Sequence, residues 1–237
     1  MTDENRNAPR VKTVRVDRDV NAAPRERAAE LRQEWTRRGT LVINVLSSPG
    51  AGKTSLLEAT ARHWQGRHTM QVLVGDLETD RDAQRLAPWA PSVQLTTGGA
   101  CHLALPLVEQ GLRELPDEEC EFLFIENVGN LVCPASHDLG EHLRVLLLST
   151  TEGDDKPGKY PKAFRTSQML VISKTDLLPY VPFSVEAACA DARLIQPGLE
   201  CVAVCARTGD GVADWCEALV RRRGQMLAEG AADAARP

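Results

Sequence analysis

Short apolar runs alternate with amphipathic stretches along most of this chain, and the alternation predicts its architecture. Seven runs, at 41–46, 71–75, 92–95, 121–125, 143–148, 168–172 and 200–205, are apolar at nearly every position rather than at every second one. Strands of that kind are buried on both faces, which happens in a mainly parallel sheet flanked by helices. Between and after them, 55–64, 81–86, 102–112, 185–195 and 212–228 read as helices. Pro106 has to start or kink the third of these near its first turn, because proline has no amide hydrogen to donate inside a helix. Ahead of the first strand, Asn21 offers an N-cap, Pro24 fits a first turn, and Ala28, Leu31 and Trp35 follow at helical spacing until Gly39. The expectation is an α/β three-layer sandwich: one domain over 21–229 that includes this leading helix, with a polar tail at 1–20 and a frayed, Ala-rich tail at 230–237.

Composition narrows the function. At 237 residues, with 43% hydrophobic and 26% charged positions, the chain can bury one substantial core. A net charge of −5 without a densely basic arm argues against nucleic acid or an anionic membrane as partner. No apolar run approaches the roughly 20 residues that span a bilayer, and the polar start is not a signal peptide, so the chain reads as cytoplasmic. Seven cysteines, an odd number without framework spacing, do not make a disulfide scaffold. Cys189, Cys201, Cys205 and Cys216 lie in apolar patterns and read as small core residues, and Cys120 precedes a strand. Cys101 and Cys133 have different neighbours.

The first apolar run leads straight into Ser47-Ser48-Pro49-Gly50-Ala51-Gly52-Lys53-Thr54 and then a helix. The phosphate-binding loop pattern is G-x-x-x-x-G-K-[ST]. Gly52, Lys53 and Thr54 match it, and Ser47 stands at the first glycine. Gly50 and Gly52 let backbone amides converge on phosphate oxygens at a helix N-terminus, with Ser48, Pro49, Ala51 and Ser55 completing the cradle. Lys53 is expected to reach the β- and γ-phosphates and the Thr54 hydroxyl to bind Mg²⁺. Two strand ends supply carboxylates for that ion, Asp76 and Glu126. Glu126 opens Glu126-Asn127-Val128-Gly129, which places the Gly129 amide to sense a γ-phosphate. Thr79, Asp80 and Asp82 form a polar, switch-like segment in which Asp80 is the candidate for positioning the attacking water.

The base is read from Ser173-Lys174-Thr175-Asp176, which resembles the N-K-x-D guanine motif. A carboxylate at Asp176 accepts from N1–H and the exocyclic amine of guanine. Adenine offers neither donor there and would leave the carboxylate unpaired, which favours GTP over ATP. Lys174 lies along the base, and Ser173 replaces the usual asparagine, removing one polar contact. Cys205, Ala206 and Arg207 occupy the place of a loop whose backbone touches the base.

Adjacent Cys101 and His102 supply a thiolate and an imidazole, and Cys133 follows Gly129 by four residues. These ligand types suit Zn²⁺, Ni²⁺ or Cu. A buried cysteine, a surface histidine and an unrelated loop cysteine would give the same pattern. If the three do share an ion, a tetrahedral or square site is one ligand short, to be filled by water or by a second protomer.

Taken together, these residues resemble the hydrogenase nickel-incorporation GTPases, the HypB family of the SIMIBI class, over roughly residues 21–223. The resemblance is carried by the leading helix, 46–57, 75–82, 97–102, 125–134, 151–156 with Lys159-Tyr160-Pro161, and 176–180. The strings around Glu126–Pro134 and the acidic loop at 151–161 are the most specific. That family commonly carries serine at the Ser47 position. The resemblance implies a cytoplasmic GTPase that hydrolyses GTP with Mg²⁺, forms a homodimer when GTP-bound, and helps deliver nickel to [NiFe]-hydrogenase large-subunit precursors alongside other accessory proteins. It also implies that Cys101, His102 and Cys133 bind Ni²⁺ or Zn²⁺ at the dimer interface. The N-terminal tail has neither a Cys-rich motif nor a His-rich stretch, its first histidine being His63, so no separate storage site is expected. Competing readings are a urease-accessory GTPase, disfavoured because Ala135 follows Cys133-Pro134 where a Cys-Pro-His motif is usual, a P-loop kinase or ATPase, and a metal-sensing switch that hardly hydrolyses GTP.

Overall fold

The computed structural model describes residues 22–76 and 81–234. Each of the seven apolar runs forms a strand: β1 (Leu41–Ser47), β2 (Met70–Asp76), β3 (Ser92–Thr96), β4 (Phe122–Glu126), β5 (Leu143–Ser149), β6 (Met169–Ser173) and β7 (Glu200–Ala203). They join in one sheet in the order β3-β2-β4-β1-β5-β6-β7, and every neighbouring pair is parallel. β7 stops short of the expected residue 205. Val204 makes the last ladder bond, to the Ile172 carbonyl, and the Cys205 amide turns away to the Asp210 carbonyl.

The helices are α1 (Ala22–Arg38), α2 (Lys53–Trp64), α3 (Arg81–Leu86), α4 (Leu105–Glu114), α5 (Lys156–Lys159), α6 (Pro161–Arg165), α7 (Val185–Ile195) and α8 (Val212–Ala234). Side chains alternate across the sheet into two apolar layers, so that the strands are covered on both sides. Leu41, Ile43 and Val45 pack with the buried faces of α2 and α8, in one cluster with Phe122 and Phe124. On the other face Val42 and Leu123 meet α1 and α4, while Leu146 and Leu170 meet α6 and α7. Of the three positions its spacing predicts on α1, Ala28 and Leu31 are buried, and Trp35 is partly buried against the same cluster.

Two boundaries differ from expectation. The helix predicted at 102–112 begins at Leu105, with Pro106 in its first turn, where a missing amide hydrogen costs nothing. Cys101 and His102 therefore sit in the preceding connection. The segment read as a frayed tail from Gly230 instead continues α8 through Ala234. The Asn21 cap and the tail at 1–20 lie outside the described residues. No helix among the described residues is long and apolar enough to cross a membrane.

β1 is central and feeds α2, and α2 is anchored by α8. Thr60 of α2 is fully buried; its hydroxyl donates to the Leu56 carbonyl and accepts from the indole of Trp215 at 2.9 Å. Replacing Thr60 with valine leaves the buried Trp215 N–H without an acceptor. That substitution is expected to lower unfolding free energy by about 1–3 kcal/mol, read from a denaturant midpoint, while the overall fold is kept.

Candidate nucleotide and metal site

Both sets of candidate residues gather at the C-terminal ends of the parallel strands, where sheets of this kind place their ligands. The loop from β1 to α2 turns through Gly50 (φ 72°) and Gly52 (φ 99°), left-handed backbone that side chains resist. α2 begins immediately after Gly52, so its free N-terminal amides face the loop. Lys53 is buried, and its Nζ donates to Ser47 Oγ at 3.0 Å. The serine at the first position of the motif thus holds the lysine head group. Burial pulls the Lys53 pKa down, against the opposing charge of Glu126.

Glu126 ends β4 almost wholly buried. Its Oε1 accepts from the Thr54 hydroxyl at 2.8 Å, whereas Oε2 has no hydrogen-bond partner among the described residues. Burial pushes its pKa up to about 7, opposed by Lys53 and by the Thr54 hydrogen bond. A buried carboxylate oxygen without a donor, beside a threonine hydroxyl and a phosphate loop, fits a hard divalent cation such as Mg²⁺. Asp76 ends β2 on the adjoining strand and is partly buried. Thr79 and Asp80 lie outside the described residues, and Asp82 stands in the first turn of α3.

Gly129 shows how closely the loop leaving β4 lies on the phosphate loop. A Cβ at this position would come within 2.9 Å of Pro49 Cα, so only glycine permits the approach.

At the base end, Lys174 adopts left-handed backbone (φ 59°), and its Nζ donates to the Gly50 carbonyl at 2.7 Å. Ser173 Oγ donates to the Ala51 carbonyl at 2.7 Å. The serine that replaces asparagine therefore still ties β6 to the phosphate loop. Asp176 Oδ1 accepts from the Cys205 thiol at 3.1 Å, and Oδ2 accepts from Arg207 at 2.8 and 3.2 Å. The Cys205 hydrogen bond first, and then Arg207, hold the Asp176 carboxyl below the usual carboxylate range. With Ala51, Gly52, Lys174 and Ala206 these residues line a cleft of about 290 Å³. Cys205, read from sequence as a core residue and base-loop backbone, thus also orients the carboxylate.

Cys101, His102 and Cys133 come together from separate loops, with their ligand atoms all within 4.8 Å of one another. Its hydrogen bond to Cys133, and then desolvation, raise the Cys101 thiol pKa. Burial, followed by the neighbouring His137, lowers that of His102 and favours the neutral imidazole that can ligate. Nothing in the sequence pattern singles out His137, yet its ring stacks on His102 with centroids 3.9 Å apart and planes 17° apart. Its Nδ1 lies 2.9 Å from the Cys133 carbonyl, which can only accept, so Nδ1–H is the donor. His137 thereby braces two of the three candidate ligands.

Comparison with known proteins gives this arrangement a context. The model of the CobW/HypB/UreG nucleotide-binding domain matches residues 41–203. The hydrogenase maturation factor HypB of Azotobacter vinelandii is 45% identical over 90% of this chain and 71% of its own length. The crystal structure of HypB from Helicobacter pylori in complex with nickel is 36% identical, with a TM-score of 0.82 over 86% of this chain and 96% of that one. The hydrogenase maturation factor HypB of Archaeoglobus fulgidus is 34% identical, with a TM-score of 0.78 over 86% and 99% of the two chains.

The buried Glu126 sets a pH dependence. Its folded pKa of about 7 lies above the ordinary 4.5, so the ligand-free protein gains stability from the protonated form below pH 4.5 and loses it as pH rises through 7. Glu126→Gln is expected to flatten the stability profile between these values, by on the order of 3 kcal/mol at the alkaline end. Thermal or urea unfolding of both proteins across this range measures it.

Proposed function

This chain belongs to the hydrogenase maturation factor HypB family of nucleotide-binding proteins, and on that premise we propose that it is a Mg²⁺-dependent GTPase that carries nickel for [NiFe]-hydrogenase maturation. The observation that carries the reading is that one loop serves two sites. Glu126 and Gly129, packed on the phosphate loop, and Cys133, grouped with Cys101 and His102, are parts of a single short segment that begins at the end of β4.

Each residue has a role in this reading. The amides around Gly50–Ser55 and the Lys53 ammonium bind the β- and γ-phosphates. Thr54, Asp76 and Glu126 would hold Mg²⁺, which when bound neutralises charge on the phosphates. The Asp176 carboxylate receives the two donors of guanine as Arg207 gives way, while Cys205 and Lys174 keep the carboxylate and the phosphate loop in place. Asp80 positions the attacking water, and the Gly129 amide meets the γ-phosphate.

Nickel is cargo rather than a resident cofactor. Two thiolates and one imidazole are soft enough to hold it, and Zn²⁺ accepts the same set. Three ligands leave the ion short of a closed shell, and a second copy of the chain, paired when GTP is bound, would complete it. An incomplete shell also favours transfer to a hydrogenase large-subunit precursor. Such a carrier works in the cytoplasm.

Lys53→Ala is expected to abolish GTP binding in calorimetry, and Asp176→Ala to weaken GTP roughly 10–100-fold while leaving ATP affinity unchanged. Cys133→Ala should lose the tight Ni²⁺ site without lowering GTP affinity. Retained GTP affinity in the lysine variant, or unchanged nickel stoichiometry in the cysteine variant, would overturn the assignment.

A further inference from the structure

Of the three candidate nickel ligands, Cys133 shares a loop with Glu126 and Gly129. Cys101 and His102 belong to the connection between β3 and α4, which has no covalent reason to follow the nucleotide. The structure shows what ties them to that loop. Asn130 Nδ2 donates to the Cys101 carbonyl at 3.3 Å, and Asn127 Oδ1 accepts from the Leu103 amide, also at 3.3 Å. The backbone on either side of His102 is thus held by two carboxamides of the loop that leaves Glu126.

The two asparagines are anchored differently. Asn130 is partly exposed, and its Oδ1 accepts from the Val132 amide at 2.8 Å, ordering the turn that leads to Cys133. Asn127 is 1% exposed and enters a buried chain of hydrogen bonds. Its Oδ1 also accepts from the Val128 amide, and its Nδ2 donates to Asn44 Oδ1 on β1 at 3.2 Å. Asn44 Nδ2 donates onward to Glu141 Oε1, which also accepts from Arg144. Arg144 then donates to the carbonyls of Ala135 and His137, just beyond Cys133. The stacking of His137 on His102 brings the path back to the ligands. The bonds from Asn127 through Asn44 and Glu141 to Arg144 and the Ala135 carbonyl are buried and directional, the setting in which such a chain holds its members firmly, while the last links through His137 are partly exposed.

We propose that Asn127 and Asn130 are positioning residues that carry the nucleotide state from the Glu126–Gly129 loop to the Cys101–His102 arm. Asn127 fixes the buried side of the arm and Asn130 the exposed side, so a shift of the loop against the phosphate loop moves all three candidate ligands together. The inference rests on the nickel-carrying GTPase reading above and adds to it the residues that couple the two sites.

The test uses the full chain, with Ni²⁺ affinity measured by competition with a chromophoric chelator in the presence of GDP and then of a non-hydrolysable GTP analogue. Wild type is expected to show affinities that differ by at least about fivefold between the two states. In Asn130→Ala the ratio should fall towards one, while GTP affinity and melting temperature stay near wild type. Asn130→Asp keeps the acceptor that orders Val132 but loses the donor to the Cys101 carbonyl, and the ratio should fall there too. In Asn127→Ala the ratio should fall as well, with a lower melting temperature because the Leu103 amide and Asn44 Oδ1 lose buried partners. If Asn127→Ala does not fold, the two Asn130 variants decide. A wild-type ratio retained in both Asn130 variants would overturn the positioning role and leave the GTPase–nickel reading standing. A ratio of one in wild type itself would overturn both.

Discussion

The arrangement depends on a carboxylate held out of water. Glu126 is buried at the end of β4, bonded to the Thr54 hydroxyl and in the field of the Lys53 ammonium, and one of its oxygens has no donor among the described residues. An ionised acid in that state is costly unless a cation meets it, which is why the proposed Mg²⁺ site is assigned to this carboxylate. The geometry follows from this anchor. β4 lies beside β1 in the sheet, which sets Glu126 next to the phosphate loop, and the chain leaving it has to pass Pro49 so closely that only Gly129 fits. The same chain then reaches Cys133 while it is still tied to the nucleotide site.

The candidate metal ligands take their character from being assembled out of two loops. Cys101 and His102 lie before α4, which begins only at Leu105 because Pro106 fits in a first turn. Hydrogen bonding to Cys133 raises the Cys101 thiol pKa and burial lowers that of His102, so in the proposed role a soft cation would displace a proton from sulfur rather than from the imidazole. Ligands drawn from two loops suit the proposed cargo role better than a permanent structural metal.

Much of this can be read from the sequence. Near-continuous apolar runs identify seven strands covered on both faces, and the Gly52-Lys53-Thr54 motif between a strand and a helix locates the phosphate loop. Strand-end carboxylates at Asp76 and Glu126 are visible for the same reason, since a charged residue closing an apolar run stands out. What stays hidden depends on contacts between segments far apart in the chain. Ser173 looks like a loss against the asparagine pattern, yet its hydroxyl reaches the Ala51 carbonyl. His137 lies outside any ligand motif and becomes visible only through its stacking on His102. Asn127 and Asn130 stand within the Glu126–Pro134 string without a role of their own, because their partners come from the β3–α4 connection and from β1. The extension of α8 to Ala234 is masked by an Ala-rich composition that reads equally well as a loose end.

The central claim is that one loop joins the nucleotide to the metal, and the nickel coordination shell reports on it most directly. X-ray absorption at the nickel edge on the full chain, loaded with one Ni²⁺ per protomer, would be recorded with GDP and then with a non-hydrolysable GTP analogue. The account predicts sulfur and imidazole scatterers in both states and a shell that changes between them as the loop shifts Cys133 against Cys101 and His102. Superimposable spectra in the two nucleotide states, or a shell without sulfur, would contradict it.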